Sequence, residues 1–232
     1  MLITGLSGKL SKENIHLDTK VNSITKMDDS LIVETVDSKS YWAEKVVICM
    51  PPALAVSTIT FTPALPNNLA SLLPTVQTWM AGAVKFTLEY AEPFWRNQGF
   101  SGMLYSHAGI VVEMYDHTNF EGTRFGFTGF LNSGVAGYTR EVRKEFVLKQ
   151  LGELLGEQAS HPLAYYDKVW TDEYIVSENQ NVQRPHQNNG HPALQNSYMD
   201  GRLYFANTET ATEFPGYMEG AVISARSAAE RL

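Results

Sequence analysis

The chain has 232 residues, 44% hydrophobic and 19% charged, a balance typical of folded globular proteins and one that excludes a disordered chain. Eighteen basic against twenty-five acidic residues leave a net charge of −7, and with no basic run or basic–aromatic interleaving the composition argues against nucleic acid as a partner. One cysteine, Cys49, excludes an intramolecular disulfide and a cysteine-rich metal site; with no apolar stretch of transmembrane length and no signal-peptide character at the start, the expectation is a cytoplasmic protein with no membrane partner.

Leu2, Ile3, Leu6 and Leu10 are spaced as a short amphipathic helix. Val21, Ile24 and Met27 then run to a turn at Asp28-Asp29, followed by Leu31-Ile32-Val33, which predicts a hairpin. Lys45-Val-Val-Ile-Cys-Met50 reads as a strand buried on both faces, as in a parallel or mixed sheet beneath helices, with Cys49 a buried, inert thiol. Pro51-Pro52 end it, because proline offers no N–H to a ladder and restricts the residue before it.

Ala83 to Tyr90 alternates like a strand with one wet face. Met103-Leu-Tyr105, Ile110-Val-Val112 and Arg124-Phe-Gly-Phe127 extend it into an antiparallel meander. Thr139 to Leu155 is helical in pattern, with Val142, Phe146, Val147, Leu151, Leu154 and Leu155 predicted on one apolar stripe. Ser177 to Asn196 is polar and too long for a simple connection, so it is expected to be functional or mobile, with His186 and His191 solvated. The six histidines show no metal-ligand spacing, so no metal is expected.

Leu203 to Ala206 predicts a short buried strand. A polar loop broken by Pro215 and Gly216 follows, then a closing helix with Tyr217, Ala221, Ala225, Ala228 and Leu232 on the side that approaches a sheet. A helix entered this way aims backbone N–H groups and a positive dipole end at whatever lies before it. The order predicts an α+β fold. Residues 1–57 and 198–232 form one domain from both chain ends, and 58–197 form an inserted antiparallel sheet with a helix.

Four segments carry a family resemblance. Leu203-Tyr-Phe-Ala-Asn-Thr-Glu-Thr-Ala-Thr-Glu-Phe-Pro-Gly-Tyr-Met-Glu-Gly220 is similar to the C-terminal signature of the flavin-containing amine oxidases, the monoamine and polyamine oxidase family. Ile15-His-Leu-Asp-Thr-Lys-Val-Asn-Ser-Ile24 resembles the strand pair whose valine backbone, here Val21, meets the adenine. Lys45 to Pro52 with Ile59-Thr-Phe-Thr-Pro-Ala-Leu-Pro66 resembles the crossover into the substrate domain. Gly82-Ala-Val-Lys-Phe86 with Tyr90-Ala-Glu-Pro-Phe-Trp-Arg96 resembles the stretch carrying the lysine, here Lys85, that holds a water on flavin N5.

The resemblance further implies that Trp170 lies along the isoalloxazine and that Glu209 accepts a ribityl hydroxyl. It also implies that Tyr217 faces the reactive side of the ring and that Met218 opens the helix at the pyrimidine end. Trp170 and Tyr217 together would desolvate an amine and favour its neutral, reactive form. Without the resemblance, Lys85 reads as a solvent-facing lysine, Trp170 and Tyr217 as core aromatics, and Glu209 as a loop carboxylate. On this reading 1–57 and 198–232 are an incomplete, Rossmann-like FAD-binding domain and 58–197 the substrate-binding domain.

The chain departs from the family pattern in four places. No anchoring cysteine stands near Ser177 to Asn181, which implies non-covalent FAD, and an aromatic wall of the substrate cage has no equivalent after Tyr174. Asn207 replaces the usual glycine of the Gly-Thr-Glu turn, an extra amide that a left-handed backbone would accommodate, since asparagine accepts that conformation better than most residues. No Gly-x-Gly-x-x-Gly fingerprint is present, since Gly5 and Gly8 are not in such a unit, so the chain reads as a fragment opening in the middle of an oxidase.

The function expected is the C-terminal part of an FAD-dependent amine oxidase, taking a small amine to an imine with dioxygen reduced to hydrogen peroxide. The substrate stays open, an amino acid or porphyrinogen included. The alternative is a non-catalytic module that cannot hold FAD alone. Such a module would form a homodimer or be completed by a separate nucleotide-binding segment.

Overall fold

A computed structural model of the protein describes residues 2–170 and 184–232, with Leu2 described by its backbone alone. In chain order it has α1 (Leu2–Ser7), β1 (Val21–Lys26), β2 (Leu31–Thr35), β3 (Ser40–Ala43), β4 (Val46–Ile48), α2 (Pro52–Thr58), β5 (Thr60–Thr62) and α3 (Asn67–Leu72). It continues with β6 (Val84–Tyr90), α4 (Phe94–Asn97), β7 (Leu104–Tyr105), β8 (Val111–Asp116), β9 (Phe125–Leu131), α5 (Arg140–Leu155), β10 (Ala164–Val169), β11 (Leu203–Phe205) and α6 (Met218–Arg231). The fold mixes helix and sheet. It divides into two compact units, 2–78 with 184–232 and 79–170 among the described residues.

The first unit holds a four-stranded sheet in the order β3-β2-β1-β5 and a parallel pair, β11-β4. The hairpin is present, with Ile24 opposite Val33. The boundaries differ from 57/58 and 197/198, because the chain after residue 57 stays in this unit. Ser23, Ile24 and Thr25 pair in parallel with Thr60, Phe61 and Thr62, and Leu65, Leu69, Leu73 and Val76 join the core of Ile24, Leu31, Leu203 and Phe205. Residues 184–196 are held here too. Asn189 Nδ2 donates to Gln77 O at 2.7 Å, Asn188 Nδ2 to Thr75 Oγ1 at 2.8 Å, and Gly190 N to Glu209 O at 2.8 Å.

His186 and His191 are exposed as expected but stand in a tethered segment, and His191 accepts the N–H of Ala193 at 3.1 Å. β4 has its parallel partner, but only Ile48 is buried and Cys49 is exposed, since the strand pairs along one edge alone among the described residues. On α6 the buried residues are Gly220, Ser224 and Ala228, while Ala221 and Ala225 are exposed. The helix is turned by about one residue because the Ser224 hydroxyl lies 2.6 Å from Thr210 Oγ1.

The second unit is a five-stranded antiparallel sheet, β10-β6-β9-β8-β7, covered on one face by α5. β6 alternates as expected: Val84, Phe86, Leu88 and Tyr90 point into the core with Trp95, Phe127, Val147 and Leu151. α5 begins where Thr139 Oγ1 caps the N–H of Val142. Its buried face differs from the predicted stripe: Arg143, Val147, Gln150 and Leu151 are buried, whereas Phe146 and Leu154 are exposed.

Two polar side chains turn the helix. Arg143 Nε donates to Asp167 Oδ2 at 2.7 Å and its Nη1 to the carbonyl of Tyr138. Gln150 Oε1 accepts the N–H groups of Ile110 and Val111 at 2.7 and 2.8 Å, and its Nε2 donates to the carbonyls of Ala108 and Val111. Buried polar groups satisfied this fully sit inside at little cost.

Candidate functional site

In the first unit the candidate residues gather around the closing segment. β11 is buried throughout, and the chain leaves it at Asn207 through a reciprocal cap. The Asn207 side chain accepts the Thr210 N–H at 3.1 Å, and Thr210 Oγ1 accepts the Asn207 N–H at 3.1 Å. Asn207 is extended, with φ −144° and ψ 179°, rather than left-handed. Its amide is committed inside the unit, donating from Nδ2 to Met50 O at 2.6 Å. The Thr208 hydroxyl donates to Tyr217 O at 2.7 Å and draws the loop end toward the start of α6.

The entry to α6 is tight. A Cβ built on Gly220 would lie 2.2 Å from Phe214 O and 3.1 Å from Thr208 Oγ1, so only glycine lets the loop backbone approach the first turn. Tyr217 provides no side-chain cap to the helix, and Tyr217 and Met218 are 50% and 70% exposed. The first-turn amides have no intrahelical acceptor, so this end carries donors and partial positive charge.

Glu209 is different: it is 2% exposed. Burial raises its carboxyl pKa, opposed by its own backbone N–H and by the Thr78 hydroxyl. Val21 is half-buried at the start of β1, beside a bulge between Val21 and Ser23.

In the second unit Lys85 stands near the start of β6, and Trp170 stands just past the end of β10 that pairs with it. Lys85 is an exposed residue of β6, opposite Lys168 of β10, and its Nζ lies 5.7 Å from the centre of the Phe130 ring. Trp170 follows β10 directly, bonded through its N–H to Ala83 O at 3.1 Å, and is 37% exposed. The expectations for Tyr174 and for Ser177 to Asn181 fall outside the described residues.

The solvent face of this sheet also holds residues that the sequence reading did not single out. The register sets Tyr105, Glu113, Phe130, Lys85 and Lys168 in one row across five strands. Beside that row, Tyr115 donates to Glu113 Oε1 and shares a hydrogen bond with Tyr105, their rings meeting edge to face at 6.1 Å. The bonds to Glu113 and then Tyr105 raise the Tyr115 phenol above its ordinary pKa. The available signal was alternation continuing past Val112 through Glu113 and Tyr115, where the predicted strand stopped short.

Farther along this face an open cavity of about 440 Å³ is lined by Thr87, Glu89, His117, Asn119, Arg124 and Tyr166, and Arg124 pairs with Glu89 at 2.9 Å. Among the described residues no group of three His, Cys, Asp or Glu is placed to hold a metal ion. Among them, too, no helix is long and apolar enough to cross a membrane.

The donor set suits the ring end of a flavin. First-turn amides with no side-chain cap at an exposed helix start match an electron-rich ring edge. The sequence has no glycine-rich turn to take a pyrophosphate.

Residues 1–232 match the family model described as flavin containing amine oxidoreductase. The chain is 32% identical over 237 residues to an amine oxidase [flavin-containing] of Oncorhynchus mykiss, covering 95% of this chain and 43% of that protein. It is 31% identical over 251 residues to amine oxidase [flavin-containing] B of Bos taurus, covering 98% and 46%. The chain thus spans less than half the length of these curated relatives. The structure is similar to cyclohexylamine oxidase from Brevibacterium oxydans IH-35A, with a TM-score of 0.82 and 26% identity over 97% of this chain and 50% of that one. Wild-type putrescine oxidase bound to putrescine shares the fold, with a TM-score of 0.79 and 24% identity over 94% and 49%.

Proposed function

We propose that this chain, which belongs to the flavin-containing amine oxidoreductase family, carries the ring-binding and substrate-facing part of an FAD-dependent amine oxidase. The observation that carries the reading is the entry to α6: an exposed, uncapped helix start approached so closely by its own loop that residue 220 has to be glycine. When bound, the flavin supplies the redox chemistry, accepting a hydride equivalent from the α-carbon of an amine and passing the electrons to dioxygen.

The residues of this chain supply position and polarity. In this reading 2–78 with 184–232 form the flavin-binding region and 79–170 the substrate-binding region. The amides of Met218 and Glu219 donate to the ring edge, Glu209 accepts a ribityl hydroxyl, and the backbone of Val21 meets the adenine. FAD is held non-covalently. Lys85 positions a water for reoxidation, and its ammonium favours negative charge developing nearby. Trp170 and Tyr217 present rings that exclude water and keep the amine neutral, the form that can react.

The reading is tested by adding FAD to the purified chain and following its absorption band, then adding amines without oxygen. A shifted band that an amine bleaches is expected. A bound flavin that no amine bleaches would contradict the oxidase role.

A second reading is favoured by apolar side chains on the surface of the first unit. Ile3, Leu6, Leu10, Leu17 and Trp42 are each more than half exposed, which suits a surface covered by a second copy or by a nucleotide-binding segment. Sedimentation of the purified chain tests it: a dimer supports this reading, and a monomer across the concentration range opposes self-association.

A further inference from the structure

In the first unit the parallel pair of β4 and β11 ends where both strands leave their regular backbone. Val46, Val47 and Ile48 pair with Leu203, Tyr204 and Phe205, and Ala206 N then donates to Ile48 O at 2.9 Å. Beyond this bond Pro51 and Pro52 turn one strand into α2, and the other enters a short 3₁₀ turn, Thr208–Thr210. The next acceptor along β4, Met50 O, is met by a side chain instead of the backbone: Asn207 Nδ2 donates to it at 2.6 Å. Glycine, which the resemblance expects at this position, has no side chain to make this bond.

The same amide also faces the other way. Its oxygen accepts the Thr210 N–H, the Thr210 hydroxyl accepts the Asn207 N–H, and that hydroxyl lies 2.6 Å from Ser224 Oγ on α6. Asn207, Thr210 and Ser224 are 6%, 2% and 5% exposed, so these bonds run where water competes little. A chain of hydrogen bonds therefore joins the end of β4 to the second turn of α6, and Asn207 supplies its link to β4. Between the two lies the loop whose Thr208 hydroxyl bonds Tyr217 O and whose Phe214 O crowds Gly220.

From this we infer that Asn207 is a positioning residue: through Met50 O it fixes the loop of residues 208–217, and with it the opening turn of α6, in the geometry that receives the flavin ring. A receptor held in place beforehand loses less freedom on binding, so the contribution is to affinity. The inference rests on the flavin-binding reading above for what the loop receives. Holding the loop needs no flavin.

Asn207→Ser separates the two roles of the amide. Serine still caps the Thr210 N–H but is too short to hold Met50 O, and it buries no charge. Asn207→Gly removes both bonds. Hydrogen exchange of the full chain without flavin is read at Ala211 and Tyr217, whose N–H groups bond Thr208 O and Phe214 O within the loop. Both variants are expected to speed exchange there about tenfold, while the amides of β6 keep their rates. FAD affinity, followed by the displacement of its absorption band, is expected to fall about tenfold in Asn207→Ser although the Tm of that variant stays close to that of the unsubstituted chain.

Exchange in Asn207→Ser that matches the unsubstituted chain overturns the assignment, because the cap alone would then hold the loop. An FAD affinity that Asn207→Ser leaves unchanged overturns it as well. A chain that takes up no FAD while Asn207→Ser loosens the loop refutes the flavin reading and leaves the hold on the loop standing. Equally tight FAD binding by all three chains does the reverse.

Discussion

Replacing Gln150 with leucine removes four hydrogen bonds at one stroke. They run from one buried amide to the N–H groups of Ile110 and Val111 and to the carbonyls of Ala108 and Val111. Val111 is fully buried, so its N–H and C=O lose these bonds where water does not reach, while Ala108 and Ile110 lie nearer solvent. Orphaning two buried backbone groups costs about 1–3 kcal/mol each, and the leucine recovers about 1–2 kcal/mol by its own burial, leaving a net loss of about 3 kcal/mol.

Leucine also fits the space poorly. Gly109, at φ +77°, brings its backbone so near that a Cβ there would lie 2.3 Å from Gln150 Oε1. Urea unfolding measures the effect, with a lower midpoint at unchanged m-value. The turn leads into β8, so the amides of Glu113 and Tyr115 should also lose protection from hydrogen exchange before those of β6. A loss below about 1 kcal/mol would refute the argument, because it would mean that water replaces all four bonds.

Two further predictions concern the second unit's acid stability and the entry to α6. Asp116 is partly desolvated, which opposes ionisation, but donors from Arg96, Thr118 and Trp95 outweigh that and lower its pKa from 3.8 to about 2. A depressed carboxyl contributes stability that is present above 3.8 and lost as pH falls through about 2. Asp116→Asn should therefore cost about 2 kcal/mol at neutral pH and flatten the acid limb in that window, read by thermal melts against pH. Gly220→Ala should lower stability by about 1–3 kcal/mol because its Cβ meets the backbone oxygen of Phe214, which calorimetry reads as a reduced Tm. An unchanged Tm would show that the loop yields freely.

What the sequence made legible is what local pattern controls. The β1–β2 hairpin, the strict alternation of β6 and the proline stop before α2 follow from side-chain period and from proline's missing N–H, and each stands where expected. The helix faces were misread for a physical reason. Arg143, Gln150 and Ser224 are polar by type, yet each finds its partners in a distant segment, so tertiary bonding rather than hydrophobicity turned α5 and α6.

The candidate site was partly legible in the same way. The loop and helix from Asn207 to Gly220 are written in contiguous residues, and the order of elements follows them. The row from Tyr105 to Lys168 joins five strands, and only the register shows that Glu113 and Lys85 share a face.

The central claim is that the start of α6 meets an isoalloxazine edge. Its most direct test is an amide-resolved titration of the nitrogen-15-labelled chain with FAD. The account predicts that the amides of Met218, Glu219 and Gly220 shift together, saturating with the displacement of the flavin absorption band. A flavin that binds while those three amides stay still would contradict it.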